Sequence, residues 1–384
     1  MLPALIISQL TLSRLSLLDA KKAYDQEGSA EGALRYLSSL LRADYVALET
    51  KAKEEVAWCE SHKVRIVPLS HPDYPRRLRE CCDAPLVLFV RGTADLNAPK
   101  MLSIVGTRKI TPYGTDCING IVDALTDSFP DAHIVSGLAY GVDITAHRAA
   151  MRNNLPTIGV VAHGQGMLYP AHHRNEANKM VLGNGAVVTE FFHDVRPEAR
   201  NFLQRNRIIA GMSDGTLLPE SAIHGGGMVT ARLAVDYNRE LFAIPGNISA
   251  PMSEGPNALI RDNKATLVTS AKDIMKELGW EDPLAPPKEG ELFEEFKVQG
   301  SRFKEFKEFK EFKEFKEFKG GKEFKGLSET EAAIVEALRA EDLTIDTLAT
   351  AVNLPISTVT ATVFGLEMKG VVRSMAGSGV HLVS

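Results

Sequence analysis

Small, flexible and cationic residues in this 384-residue chain gather at the ends of short apolar runs, where backbone N–H groups can meet an anion. Gly106-Thr107-Arg108 follows Met101–Val105 and leads through Thr111-Pro112-Tyr113-Gly114 into a helical pattern. A glycine at a strand end lets main-chain N–H groups approach a phosphate, and the next helix N-terminus favours negative charge. A tight turn carrying an exposed arginine is the plainer reading of the same residues. The loop fits neither Gly-x-Gly-x-x-Gly nor Gly-x-x-x-x-Gly-Lys-Ser/Thr, which argues against a nucleotide cofactor held by either motif.

Four further stretches share this character. Ser136-Gly137-Leu138-Ala139-Tyr140-Gly141, before Val142-Asp143, repeats the strand-to-helix glycine turn, and two such loops on adjacent strands would make a phosphate-lined floor. In the helix that follows, His147 reads as a packing or capping residue. The segment Ala162–Arg174 offers Tyr169 to a base and Arg174 to a phosphate, with His172 and His173 between them. No carboxylate stands at helical ligand spacing from that His pair, so no metal is expected. In Asn201–Gly211, Arg205 and Arg207 flank Asn206 at an expected helix start, where two guanidinium groups could clamp phosphates; a plain surface helix start is the alternative. His224-Gly225-Gly226-Gly227, running to Thr230, is another glycine-rich turn into a helix.

The elements that must position these loops are legible in the apolar pattern. Strands are expected at Met101–Val105, His133–Ser136, Thr157–Val161, Ala186–Glu190, Thr216–Leu218 and Leu241–Ile244. Helical patterns such as Val142–Arg152 and Met228–Tyr237 lie between most of them. Continuous apolar strands alternating with helices imply an α/β fold with a parallel sheet covered on both faces, and right-handed crossovers make it doubly wound. Ligands in such folds bind beyond the carboxyl ends of the strands, where the glycines gather.

Four regions follow: a mostly helical stretch 1–84, the α/β core 85–280, a low-complexity linker 281–326, and a small domain 327–384. The linker repeats Phe-Lys-Glu from Phe303 to Lys319; a period of three makes no single buried helix face, so a charge-balanced linker is expected rather than a folded element. The last region reads as a winged helix, with a Ser-x-x-Glu capping box at Ser328, a turn at Asn353-Leu354-Pro355, a helix Ser357–Lys369 and a hairpin around Gly377-Ser378-Gly379. Three Lys or Arg against seven Asp or Glu follow Gly326, and the helix offers Thr358, Thr360, Thr362 and only Lys369 as a cation. A protein-contact role is favoured there over duplex reading.

Composition sets outer bounds. Hydrophobic residues at 44% and charged residues at 24% are those of a globular chain, and a net charge of −5 excludes a protein coated with basic residues. A nucleic-acid site must therefore be a local patch. Cys59, Cys81, Cys82 and Cys117 form no Cys-x-x-Cys pair and read as reduced thiols in a cytoplasmic setting. The apolar N-terminus reads as a buried helix, with a signal peptide the lesser alternative. No membrane span is expected.

Taken together, Ser103–Gly114, Ile134–His147, Tyr169-Pro170, Gln204–Gly211, Ile244–Gly246 and Gly255–Val268 resemble the DNA-processing protein A (DprA/Smf) family, and Asp73-Tyr74-Pro75 with Ala84–Gly92 extends the likeness upstream. The resemblance implies an extended Rossmann-like core, a helical N-terminal domain, homodimers, and non-enzymatic binding of single-stranded DNA without cofactor. It also implies protection of incoming DNA and loading of the RecA recombinase during natural transformation. Phosphate and base contacts would fall to Gly106, Thr107, Arg108 and Tyr113; to Ser136, Gly137, Tyr140 and Gly141; to Tyr169, His172 and Arg174; to Arg205, Asn206 and Arg207; and to Gly226 and Thr230. Tyr140 stands where the family usually has Arg, and His224–Gly227 replaces its basic-Ser-Gly-Ser turn.

Two other functions compete. Gly225–Thr230 is superficially like a motif of nucleotide phosphoribohydrolases, but Leu233 occupies the place of their catalytic Glu. A scaffold that has lost DNA binding is the other.

Overall fold

The computed structural model describes residues 1–11, 15–280, 328–339, 343–352, 354–369, 371–375 and 379–382. The linker at 281–326 with its repeat, Asn353 and the hairpin tip at Gly377-Ser378 lie outside the described residues. Contacts divide the chain into two compact units, 1–286 and 287–384.

The first unit opens with four helices, α1 (Leu2–Thr11), α2 (Leu17–Glu27), α3 (Ala30–Leu40) and α4 (Tyr45–Ser61). The remaining elements run β1 (Arg65–Pro68), α5 (Arg76–Arg79), β2 (Val87–Gly92), β3 (Met101–Ile104), α6 (Pro112–Ser128), β4 (His133–Ser136), α7 (Val142–Arg152) and β5 (Thr157–Val160). They continue through α8 (Arg174–Leu182), β6 (Ala186–Thr189), α9 (Ala199–Met212), β7 (Gly215–Leu218), α10 (Gly226–Asp236), β8 (Glu240–Ala243), α11 (Glu254–Arg261), β9 (Thr266–Leu267) and α12 (Ala271–Glu277).

Nine strands form one sheet in the order β1-β2-β6-β5-β4-β3-β7-β8-β9. From β6 to β9 every pairing is parallel, and every residue of β3 to β7 is buried, as strands covered on both faces require. All six expected strands are present, and the doubly wound α/β architecture stands. Two features differ from the sequence reading. β1 pairs antiparallel with β2, and β2 antiparallel with β6, so the sheet is mixed at one edge and begins at residue 65, not 85. The helical stretch is also not packed apart from the sheet: Leu5, Ile7 and Leu37 share one core with Val67, Leu88 and Val188. β1 is only four residues long and sits between charged and proline-rich segments, which hides its period.

The strand order reverses between β3 and β7, where one crossover series winds toward β6 and the other toward β9. Loops leaving adjacent strands diverge there and open a crevice at the carboxyl ends. The two loops are nevertheless tied together. Glu220, just beyond β7, accepts hydrogen bonds from the backbone N–H (2.8 Å) and hydroxyl (2.6 Å) of Thr111, and Thr111 caps α6. The Thr107 N–H also donates to the Glu220 carbonyl at 2.8 Å.

The described residues of the second unit include the helices Glu329–Ala337, Ile345–Ala351 and Ile356–Met368, and a hairpin pairing Val372–Met375 with Gly379–Leu382. Ile334, Leu348, Val359, Leu366 and Val372 form its own core. The expected capping box at Ser328 is present, and Lys369 donates to Glu331 at 2.8 and 3.0 Å.

Candidate nucleic-acid interface

Beyond the carboxyl ends of β3 and β4 lies a crevice of about 500 Å³. Gly106 and Arg108 come from the loop after β3, Ala139 and Asp143 from the loop after β4 and the first turn of α7. Phe202, Leu203, Arg205 and Asn206 come from α9, and Gly226, Gly227 and Thr230 from the first turns of α10. Two helices, α7 and α10, thus begin at the crevice with glycine caps and turn their positive dipole ends toward it, while the Val142 and Ile144 N–H groups of α7 are taken by the Thr107 and Ala139 carbonyls. Gly141 has φ 72°, and a Cβ there would come within 2.3 Å of the Thr107 carbonyl oxygen, so the turn into α7 requires glycine.

The floor is cationic. Arg205 is 3% exposed, and its Nε and Nη1 find no hydrogen-bond partner in the protein. Burial lowers it to about 10, with Asp143 pulling it up and Arg108 pushing it down. Burial raises the Asp143 carboxyl above its ordinary range, against the pull of Arg205 and of the Ala139 N–H. At the rim, Arg108 is exposed, with its guanidinium carbon 5.4 Å from the centre of the Phe202 ring. Arg205 lies 5.9 Å from the same ring, and Tyr169 meets it edge-on at 5.8 Å. An aromatic ring beside two guanidinium groups suits a nucleobase next to its phosphates.

Six of the sixteen residues expected from the sequence line this crevice: Gly106, Arg108, Arg205, Asn206, Gly226 and Thr230. Thr107 and Gly141 shape its wall by approaching each other, and Gly137 lies directly beneath Arg205. Tyr169 reaches it only through Phe202. Tyr113, Tyr140, His172 and Arg174 are exposed but do not line it. The Tyr113 hydroxyl donates to the Pro245 carbonyl at 2.6 Å, and the Tyr140 hydroxyl lies 3.2 Å from His172 Nδ1.

Three expectations need correction. Arg205 and Arg207 are not at a helix start: α9 begins at Ala199, two residues beyond Pro197, so both sit in its second and third turns. Two residues turn a helix by 200°, so when Arg205 faces the crevice Arg207 faces the interior. There Arg207 is 3% exposed and donates from Nη2 to Glu190 Oε2 at 2.5 Å, which removes it from any surface contact. Ser136 is likewise buried, with its hydroxyl donated to the Ile104 carbonyl at 2.6 Å. The packing role for His147 holds: it is buried, with Nδ1 2.7 Å from the Thr157 hydroxyl. Phe202 and Asp143 escaped sequence reasoning; the i, i+3 spacing of Phe202 and Arg205 on one helix was the available signal.

The sequence pattern of the family described as DNA recombination-mediator protein A matches residues 65–279, more than half of the chain. The chain belongs to this family. A DprA winged helix domain matches residues 325–378. Protein Smf of Escherichia coli K12 is 38% identical over 226 residues, 59% of this chain and 60% of that protein, so the alignment spans three fifths of the relative. DNA processing protein DprA of Streptococcus pneumoniae is 36% identical over 208 residues, 53% of this chain and 71% of that protein. The crystal structure of S. pneumoniae DprA superposes with a TM-score of 0.55 at 29% identity, over 71% of this chain and 91% of that one. DNA processing protein A of Helicobacter pylori, whose structure concerns its mode of binding single-stranded DNA, superposes with a TM-score of 0.51 at 27% identity, over 57% and 96%.

Among the described residues no helix is long and apolar enough to cross a membrane, and no cluster of three or more metal-ligating side chains occurs.

Proposed function

We propose that this chain is a non-enzymatic, cytoplasmic DNA-processing protein that holds single-stranded DNA in the crevice beyond the carboxyl ends of β3 and β4. In the fuller form of this reading it works as a homodimer, protects incoming DNA during natural transformation and hands it to the RecA recombinase. The observation that carries the reading is the Arg108–Phe202–Arg205 cluster: one exposed and one buried guanidinium on an aromatic ring, between two helix N-termini. Single strands can thread a recess of this size and stack a base on an aromatic face, whereas a duplex is about 20 Å wide with its bases turned inward. The H. pylori relative's single-stranded DNA binding supports the same ligand. Of the residues expected from sequence, Gly106, Thr107, Arg108, Gly137, Gly141, Arg205, Asn206, Gly226 and Thr230 form or frame the proposed contact, and Tyr113, Tyr140, Tyr169, His172 and Arg174 are its outlying candidates.

Fluorescence anisotropy with a labelled oligothymidylate and a matched duplex tests this. Preference for the single strand by ten-fold or more is the expected result, and equal affinities would overturn it. Sedimentation equilibrium of the full chain tests the homodimer, and a RecA nucleation assay on coated strands tests the hand-over. The non-enzymatic assignment fails if the protein releases free base from a nucleoside monophosphate.

A further inference from the structure

Gly137 occupies a singular position at the foot of the crevice. A Cβ built on it would lie 1.6 Å from Arg205 Nη1 and 2.5 Å from Asp143 Oδ2, on the same side of the backbone. The arginine head and the carboxylate therefore share the space that any other residue's side chain would fill. Asp143 is itself anchored: it sits in the first turn of α7, is 7% exposed, and accepts from the Ala139 N–H at 3.4 Å. Arg205 has no comparable tether. Its Nε and Nη1 are unpaired, and Phe202 is its aromatic neighbour. Asp143 makes no hydrogen bond to Arg205 Nε or Nη1, so its hold on the guanidinium is the longer-range attraction of a fixed carboxylate on a side chain otherwise held by packing.

We infer that Asp143 is a positioning residue, which together with the bare Gly137 holds the Arg205 guanidinium in the crevice floor as the buried cation beneath a phosphate. This inference rests on the single-stranded DNA reading of the crevice and adds which acid that cationic site depends on. It carries a sign that simple electrostatics does not. Asp143 is the one acid among the lining residues, so if charge alone mattered, neutralising it would make the crevice more positive and tighten DNA binding. If it positions Arg205, neutralising it loosens binding even though the net charge moves in DNA's favour.

The test is Asp143→Asn in the full chain, with oligothymidylate affinity measured across a salt series and folding checked by circular dichroism. Affinity should fall about ten-fold, and the slope of log affinity against log salt should shrink by somewhat under about one, as for loss of one phosphate contact. Gly137→Ala puts its methyl into the space shared by the guanidinium and the carboxylate and should produce the same two changes. In an Arg205→Lys background, where the planar fork is gone, adding Asp143→Asn should change affinity less than about two-fold. Tighter or unchanged binding by folded Asp143→Asn, beside normal binding by the unaltered protein, would overturn the positioning role alone. Absence of single-strand binding in the unaltered protein would sink the underlying reading and this inference with it.

Discussion

Replacing Arg207 with alanine should cripple stability and spare DNA binding. Arg207 and Glu190 are both buried, with side chains 4% and 5% exposed, and are joined by one 2.5 Å hydrogen bond. Arg207 Nε and Nη1 and Glu190 Oε1 have no other protein partner, so the pair holds two desolvated charges with little outside support. Taking away the guanidinium strands the carboxylate in the interior, which costs about 3–5 kcal/mol. Replacing both residues together, as Arg207→Met with Glu190→Leu, removes the orphaned charge and should return most of that loss. Urea denaturation gives the stabilities, and anisotropy at a permissive temperature gives the binding. The folded fraction of Arg207→Ala should keep the salt slope of the unaltered protein, because a guanidinium on the far side of α9 releases no counterion when DNA binds. A stability loss under about 1 kcal/mol with a reduced salt slope would refute this reasoning and return Arg207 to the DNA-contacting set.

Two further outcomes follow from the same geometry. Burial lowers His147 to about 3, so below the ordinary histidine value of about 6.5 the unfolded chain takes up a proton that the native protein refuses. Its contribution is therefore intact above that pH and is lost as pH falls from about 6.5 toward 3, at up to about 1.4 kcal/mol per pH unit; a folded His147→Leu variant should show a shallower acid limb in stability-against-pH measurements, and an unchanged limb counts against the assignment. Phe202→Ala should weaken oligothymidylate binding by about 1–3 kcal/mol, as loss of one stacked base does, and should leave the salt slope intact; a variant that binds normally removes Phe202 from the interface.

The parallel core was legible in the sequence because buried central strands are short continuous apolar runs with glycine at their ends, as in Met101–Val105 before Gly106. Edge strands lack that signature, which is why Arg65–Pro68 was absorbed into a helical region. At the site, the glycine turns were readable because each must let backbone approach backbone. The division of labour between Arg205 and Arg207 was not: their types are identical, and only the true start of α9 decides which of them faces the crevice. Asp143, visible just after the second glycine turn, carries no signal of a role there because an acid is unexpected in an anion site. Its proximity to Arg205 arises from folding that brings residues 62 positions apart together over Gly137.

The proposed seat of single-stranded DNA is the crevice beside Gly106, with Arg108 as its exposed cation. The most direct measurement is the salt dependence of oligothymidylate affinity for the unaltered protein and for Arg108→Ala. Arg108→Ala should bind every sequence more weakly to about the same degree, with the slope lowered by somewhat under about one. A folded Arg108→Ala protein with unchanged affinity and unchanged slope would show that the crevice is not the DNA site.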